Sequence, residues 1–110
     1  HDDQAIVLNV KDMGLVVLTG CGHAGVVNTL KCARELTGVN LIQAVVGGFH
    51  LTGPTFEPVI TPTIDALKEF SPKLIVPQHC TGWKATHLIA REFPAAFIPN
   101  SVGTTMVIGA

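Results

Sequence analysis

The chain has 110 residues, of which 47% are hydrophobic and 14% are charged, and its formal net charge is −1 at pH 7. This size and composition fit one small domain with a well-buried core, and they argue against a disordered chain. The near-zero charge without a basic run gives no sign of a nucleic-acid partner, and no apolar run approaches the roughly 20 residues of a membrane span.

The cysteines indicate the redox setting of the chain. Cys21, Cys32 and Cys80 are odd in number and lack tight paired spacing, so a disulfide framework is not expected. A reducing, cytoplasmic location is therefore predicted. Cys32 is expected in the core. Cys21 and Cys80 are expected to pack as small buried side chains, with zinc ligation by their thiolates as the alternative.

The first half of the chain predicts two strands and a helix. The strands are Ala5–Val10 and Gly14–Thr19, joined by a hairpin turn, and the second is apolar on both faces and therefore central. A helix is predicted over residues 24–36, with Gly38 as its C-terminal stop. The residues expected on its buried face are Val26, Val27, Leu30, Ala33 and Leu36.

The second half continues the alternation of strands and helices. Residues 41–47 predict a buried strand and residues 51–60 a loop. Thr61 and Pro62 are typical of a helix start, and Thr81 is a candidate cap for a third helix. Short strands are predicted at the remaining apolar runs, residues 74–76, 97–98 and 104–108. The alternation indicates an α/β domain.

Three of the five histidines share one arrangement, in which the histidine follows an apolar strand and a turn that contains Gly or Pro. They are His23, His50 and His79. Because ligands gather at the carboxyl ends of strands in α/β sheets, three imidazoles there could converge on a divalent metal. One such histidine more often bonds a backbone carbonyl, but the repetition favours a metal site. His1 and His87 lack the arrangement and are expected in solvent.

Three segments around these histidines resemble known motifs. Residues 20–29 (GCGHAGVVNT), 47–51 (GGFHL) and 77–82 (PQHCTG) resemble the later motifs of the metallo-β-lactamase superfamily. The nearest branch is the one that includes 7,8-dihydropterin-6-methyl-4-(β-D-ribofuranosyl)-aminobenzene 5′-phosphate synthase. The resemblance implies that residues 1–110 form a single domain, the C-terminal half of an αββα sandwich, with one mixed sheet and helices on one face.

The resemblance also implies roles for the histidines. His23 would be the third histidine of a first metal site, and His79 would ligate a second metal. His50 lies where many relatives carry a bridging aspartate, so it would be a ligand or a substrate contact. Zinc is the expected metal, with manganese or iron as alternatives. Thr81 and Gly82, at the start of the third helix, are candidates for binding a substrate phosphate, with an ordinary helix cap as the equal alternative.

The HxHxDH signature of the superfamily does not occur in these 110 residues. Two histidines do not complete a catalytic zinc site, which needs three protein ligands and an open position, so we expect these residues alone to be inactive. The first hypothesis is the C-terminal part of a two-metal hydrolase that acts on a phosphate-containing or ester-like small molecule. The alternative is a non-catalytic metal-binding or interaction module. An HxHxDH segment encoded upstream would favour the first.

The central strands also predict an assembly. Both of their faces are apolar, whereas three helices can cover only one face of the sheet. The other face would expose an apolar patch, which a second copy could cover through a two-fold axis. A homodimer through the sheet face is therefore expected.

Overall fold

The computed structural model describes residues 3–109, so the expectation for His1 lies outside the described residues. The strands are β1 (Ala5–Val10), β2 (Gly14–Thr19), β3 (Ile42–Gly48) and β4 (Leu74–Gln78). They form one sheet in the order β1-β2-β3-β4. β1 pairs with β2 in antiparallel fashion, and β2, β3 and β4 run parallel. The predicted mixed sheet is confirmed.

Within residues 3–109 there are three α-helices: α1 (Val26–Thr37), α2 (Ile60–Phe70) and α3 (Trp83–Glu92). Single 3-10 turns precede α2 and α3, at Glu57–Val59 and His79–Thr81. α1 ends where predicted, at Gly38, whose left-handed backbone has a φ of 71°. The α/β prediction is confirmed, and none of these helices is long and apolar enough to cross a membrane.

All three helices pack on one face of the sheet. The core between them and the strands contains Leu15, Val17, Val45 and Ile75 from the sheet. The buried helical residues in this core are Val26, Leu30, Ala33, Ile60, Ile64, Leu67, Phe70, Ala85 and Ile89. This arrangement confirms the prediction of helices on one face.

Two side chains of α1 lie outside the predicted core. Leu36 is 79% exposed, and Cys32 is also exposed. At about 100° per residue, Leu36 lies roughly 90° from the centre of the stripe formed by Val26, Leu30 and Ala33, and Cys32 lies further round. The prediction of burial for these two residues was wrong because their angular positions lie away from the sheet.

The second face of the sheet is partly covered by the end of the chain itself. Val16, Ala44, Val46 and Val76 are buried there. The partly buried residues Ile98, Met106 and Ile108 pack against them from the segment after α3. This finding corrects the expectation that no part of the chain would cover that face. It also corrects the predicted strands, because residues 97–98 contribute one bridge, between Phe97 and Ile75, and residues 104–108 contain none.

The cover leaves two apolar side chains of the edge strand β1 exposed. Ile6 is 58% exposed and Leu8 is 48% exposed. In the β1–β2 register Ile6 lies opposite Leu18 and Leu8 lies opposite Val16. Since directly paired residues project on the same side of a sheet, Ile6 and Leu8 belong to the second face. An apolar margin therefore remains beside the covered region.

Candidate metal centre

The three motif histidines follow three neighbouring strand ends. β2, β3 and β4 are parallel, so their carboxyl ends share one edge of the sheet. Backbone hydrogen bonds tie the turns together: the Gly48 N–H donates to the Gly20 carbonyl at 2.9 Å, and the Gly20 N–H donates to Gln4 at 3.1 Å. The Thr19 hydroxyl donates to the Gly48 carbonyl at 2.9 Å. The edge that bears His23, His50 and His79 is thus a hydrogen-bonded unit.

His23 and His50 are in direct contact. Their ring centroids are 4.5 Å apart, with an edge-to-face angle of 68°. The His50 ring also meets Phe56, at 4.6 Å and 74°. His50 has a left-handed backbone, with a φ of 50°. Its Nδ1 is buried without a hydrogen-bond partner among residues 3–109. The two histidines line a cavity of about 310 Å³.

The carboxylate of Asp3 supports the turn that carries His23. Its Oδ2 accepts a hydrogen bond from the Ala24 N–H at 3.2 Å. This bond is the main reason why the pKa of Asp3 lies below its ordinary value, with a smaller contribution from His23. The segment before β1 therefore helps to position the turn after β2.

His79 lies with the two cysteines. The Cys21 sulfur is 3.2 Å from His79 Nε2, and the Cys80 thiol donates to the Cys21 carbonyl at 2.9 Å. The two sulfurs and a ring nitrogen of His79 all lie within 4.8 Å of one another. Burial raises the pKa of the Cys80 thiol. The chemistry of this donor set, one imidazole and two sulfurs, suits zinc or a similar metal.

Gly48 provides the space for this cluster. A Cβ at Gly48 would lie 2.6 Å from the Cys80 sulfur and 2.8 Å from His79 Cε1. It would also lie 2.8 Å from the Gly20 carbonyl oxygen. Because real Cβ atoms essentially never approach so closely, a side chain at the end of β3 would displace the cluster. The missing side chain lets the residues that follow β4 reach over the end of β3 to Cys21.

The larger cavity at this edge has a volume of about 510 Å³. His79 and Gly82 line it together with Trp83, Phe97 and Asn100. His79 thus lines a different cavity from the one that His23 and His50 share.

His87, expected in solvent, is exposed and meets the Trp83 ring at 4.9 Å.

Thr81 and Gly82 differ in their surroundings. Thr81 is buried, and its hydroxyl accepts a hydrogen bond from the Phe49 N–H at 3.2 Å. The residue that caps α3 is Gly82, with a φ of 82°. The prediction of Thr81 as a helix cap was therefore wrong, because its hydroxyl supports the turn after β3. Thr61 does not cap α2 either, since that helix begins one residue earlier, at Ile60.

Two features of the site were not predicted from the sequence. One is Phe56, which contacts His50 from the loop before α2. The other is the close approach of Cys21 and Cys80 to His79 alone, since the sequence places both cysteines beside the site and gives zinc ligation only as the alternative to packing. The signal for the cluster lies in the motifs, since a cysteine stands beside or near a histidine in both GCGH and QHC.

Comparison with known proteins gives one curated relative of established name. The chain is 38% identical over 96 residues to 7,8-dihydropterin-6-methyl-4-(β-D-ribofuranosyl)-aminobenzene-5′-phosphate synthase of Methanocaldococcus jannaschii. The alignment covers 87% of this chain and 32% of the synthase. An uncharacterized protein of the same organism is 36% identical over 70 residues, which cover 64% of this chain and 25% of that protein. No family model matches the chain.

A solved structure gives the same result at the level of the fold. A metal-dependent hydrolase of the β-lactamase superfamily superimposes with a TM-score of 0.86 at 34% identity. The superposition covers 96% of this chain and 40% of that protein, so the chain spans less than half of its relatives. In sequence and in fold, the chain is therefore similar to part of a metallo-β-lactamase superfamily protein, which confirms the resemblance predicted from its three histidine motifs.

Proposed function

We propose that the chain supplies part of the active site of a metal-dependent hydrolase of the metallo-β-lactamase superfamily. His23, His50 and His79 are its metal ligands, and the substrate is a small molecule with a phosphate or an ester-like bond. The observation that carries the proposal is the buried Nδ1 of His50, which lacks a hydrogen-bond partner among the described residues and lies beside the His23 ring.

The surroundings of His50 favour a ligand over a structural histidine. A buried polar nitrogen without a partner costs about 1–3 kcal/mol, and metal coordination would remove that cost. The left-handed φ of 50° is a further cost for a residue with a side chain, and such strain clusters at functional sites. The residues present therefore fit a divalent metal.

The donors also favour a particular class of metal. Imidazole nitrogens suit zinc. Manganese and iron are the alternative metals in this proposal. When bound, such an ion supplies a Lewis acid and lowers the pKa of a coordinated water. We assign His23 and His79 to separate ions of a two-metal site, in keeping with the two cavities that they line.

The larger cavity supports a small-molecule substrate. Its volume of about 510 Å³ lies in the range of ligand pockets, and Trp83 and Phe97 give it an apolar wall. Gly82 borders it at the N-terminus of α3, where free backbone N–H groups suit a phosphate. The synthase of M. jannaschii carries a 5′-phosphate in the name of its product, which supports a phosphate-bearing substrate class.

Zinc titration of histidine variants tests the assignment of the ligands. We expect His23→Ala, His50→Ala and His79→Ala each to weaken zinc binding by at least about tenfold, because loss of even an outer-shell partner costs 10–100-fold. His87→Ala is the matched control, since His87 also lines the larger cavity but lies on α3, away from the three strand-end turns. Isothermal titration calorimetry on the reduced chain measures the affinities.

The control decides between a site and adventitious binding. If His87→Ala weakened zinc binding as much as the motif variants did, the ion would not depend on the strand-end histidines in particular. If none of the three motif variants changed the affinity, the metal assignment would be wrong.

We also propose a homodimer through the second face of the sheet. The apolar margin of β1, Ile6 and Leu8, supports this proposal because both side chains are about half exposed beside a buried apolar surface. The segment that carries Met106 and Ile108 limits the contact to this margin, so the dimer would be smaller than one formed by the whole face. If a second copy placed its own apolar margin against this one, Ile6 and Leu8 of both copies would become buried.

A double variant tests the dimer. Ile6→Thr with Leu8→Thr places a strand-favouring β-branched residue at both positions but removes apolar surface, so it should shift the chain toward monomer. Leu36→Thr is the control, because Leu36 is exposed on the opposite, helical side. Sedimentation velocity over a series of concentrations measures the distribution. A wild-type chain that stays monomeric throughout the series would refute the proposal.

The cysteines support the proposed reducing, cytoplasmic setting. All three lie within the described residues, and all are free thiols. Thiol titration of the chain isolated from its native source without reductant should find three free cysteines. Recovery of a stable Cys21–Cys80 disulfide would contradict this proposal.

A further inference from the structure

We propose that Cys21, His79 and Cys80 together form one metal site, in which both cysteine sulfurs ligate the ion as thiolates beside the His79 imidazole. This inference rests on the proposed function in one respect, that His79 is a metal ligand. Its new content is the participation of the two cysteines, which changes the chemistry of the site from nitrogen donors to mixed nitrogen and sulfur donors.

The distances between the three donor atoms are those of a nearly assembled site. The Cys21 sulfur is 3.2 Å from His79 Nε2, and all three donors lie within 4.8 Å of one another. In a tetrahedral zinc site with ordinary bond lengths, ligand atoms are about 3.5–3.8 Å apart. Side-chain adjustments of roughly 1 Å therefore suffice to bring the donors onto one ion.

The backbone holds these donors in place although they come from distant parts of the chain. Cys21 follows β2, and His79 and Cys80 follow β4, two strands away. As a thiol, Cys80 donates to the Cys21 carbonyl at 2.9 Å, and its proton would pass to solvent when the sulfur binds the ion as a thiolate. The absence of a side chain at Gly48 leaves the space between the two residues. Gly48 itself is tied to the turn of Cys21 through the Gly20 carbonyl. The three donors are thus brought together by the fold.

The donor set also defines the chemistry of the ligand. Two thiolates and one imidazole select zinc and other soft or borderline metals, and they disfavour magnesium and calcium, which prefer oxygen. Three protein donors leave a fourth tetrahedral position open, the arrangement found at catalytic zinc ions. Of the three donors, His79 also lines the larger cavity.

Cobalt substitution tests the proposal directly. The reduced 110-residue chain is loaded with Co²⁺, and the bound metal is measured by equilibrium dialysis while the near-ultraviolet spectrum is recorded. We expect a thiolate-to-cobalt charge-transfer band. Cys21→Ser and Cys80→Ser should each lose roughly half of it or more. Cys32→Ser is the matched control and should leave the band unchanged, because Cys32 is exposed on α1.

The outcomes separate this inference from the proposed function. Cobalt binding without the band would overturn the thiolate site and leave the histidine site standing, whereas an absence of cobalt binding would overturn both. A band that Cys32→Ser removes would also overturn the inference. X-ray absorption at the zinc edge of the wild-type chain needs no variant: sulfur at about 2.3 Å supports the site, and a shell of nitrogen and oxygen alone refutes it.

Discussion

Replacing Phe49 with Ala should lower the free energy of unfolding by about 3–5 kcal/mol, the range for removal of a buried phenyl ring. Phe49 is 1% exposed and is among the largest fully buried side chains. It lies in the core between the sheet and the helices, directly before His50. Since domains of this kind have roughly 5–15 kcal/mol of stability in total, the loss would be severe. Urea denaturation followed by circular dichroism measures it.

The expected loss at Phe49 has a matched control in an exposed apolar residue. Leu36→Ala removes a large side chain that is 79% exposed, so its effect should stay within about 0.5 kcal/mol. A Phe49→Ala variant as stable as Leu36→Ala would show that Phe49 does not pack in the core. The turn that presents His50 would then have a different support.

Gly48→Ala should weaken metal binding at the Cys21–His79–Cys80 cluster by about tenfold or more, because the added Cβ occupies the space of the donors. The closest atom to that Cβ would be the Cys80 sulfur, at 2.6 Å, and His79 Cε1 follows at 2.8 Å. The backbone of Gly48 is not left-handed, so the substitution adds no φ strain, but its Cβ would also press on the Gly20 carbonyl oxygen at 2.8 Å. A tenfold loss of metal affinity is the size of effect found when residues that support the metal ligands are mutated.

Gly20→Ala is the control for this prediction. Gly20 lies at the same edge of the sheet, its backbone is also not left-handed, and its added Cβ would find the Gln4 carbonyl oxygen at 3.5 Å, an ordinary contact. Cobalt titration of both variants, with the charge-transfer band as readout, compares them. Equal affinities for Gly48→Ala and the wild-type chain would contradict the role of this glycine.

The four strands of the sheet could be predicted from the sequence. The conformation of residues 104–108, near the end of the chain, could not. Apolar runs and a short turn define β1 and β2 because hairpin strands are local. Met106 and Ile108 lie on either side of Val107, which is 89% exposed, so this apolar run reports burial of one side against the sheet. It does not report hydrogen bonding to a neighbouring strand, so the strand predicted at residues 104–108 was wrong.

Part of the candidate site, the placement of its three histidines, could also be predicted from the sequence. Each motif histidine follows its own strand, and parallel strands bring such residues to one edge whatever the details of packing. The contact between Cys21 and His79 joins residues 58 positions apart and depends on the space at Gly48. The hydroxyl of Thr81 is bonded to the Phe49 N–H, a partner 32 positions away. Such tertiary partners are not visible in local sequence patterns.

Anomalous diffraction at the zinc edge, from crystals of the chain grown with zinc, tests most directly whether this edge of the sheet holds a metal. We expect an anomalous peak within coordination distance, about 2.0–2.3 Å, of the donors of His79 and the neighbouring cysteines or of His23 and His50. Anomalous peaks only at exposed groups such as His87, with the edge of β2, β3 and β4 free of metal, would contradict it.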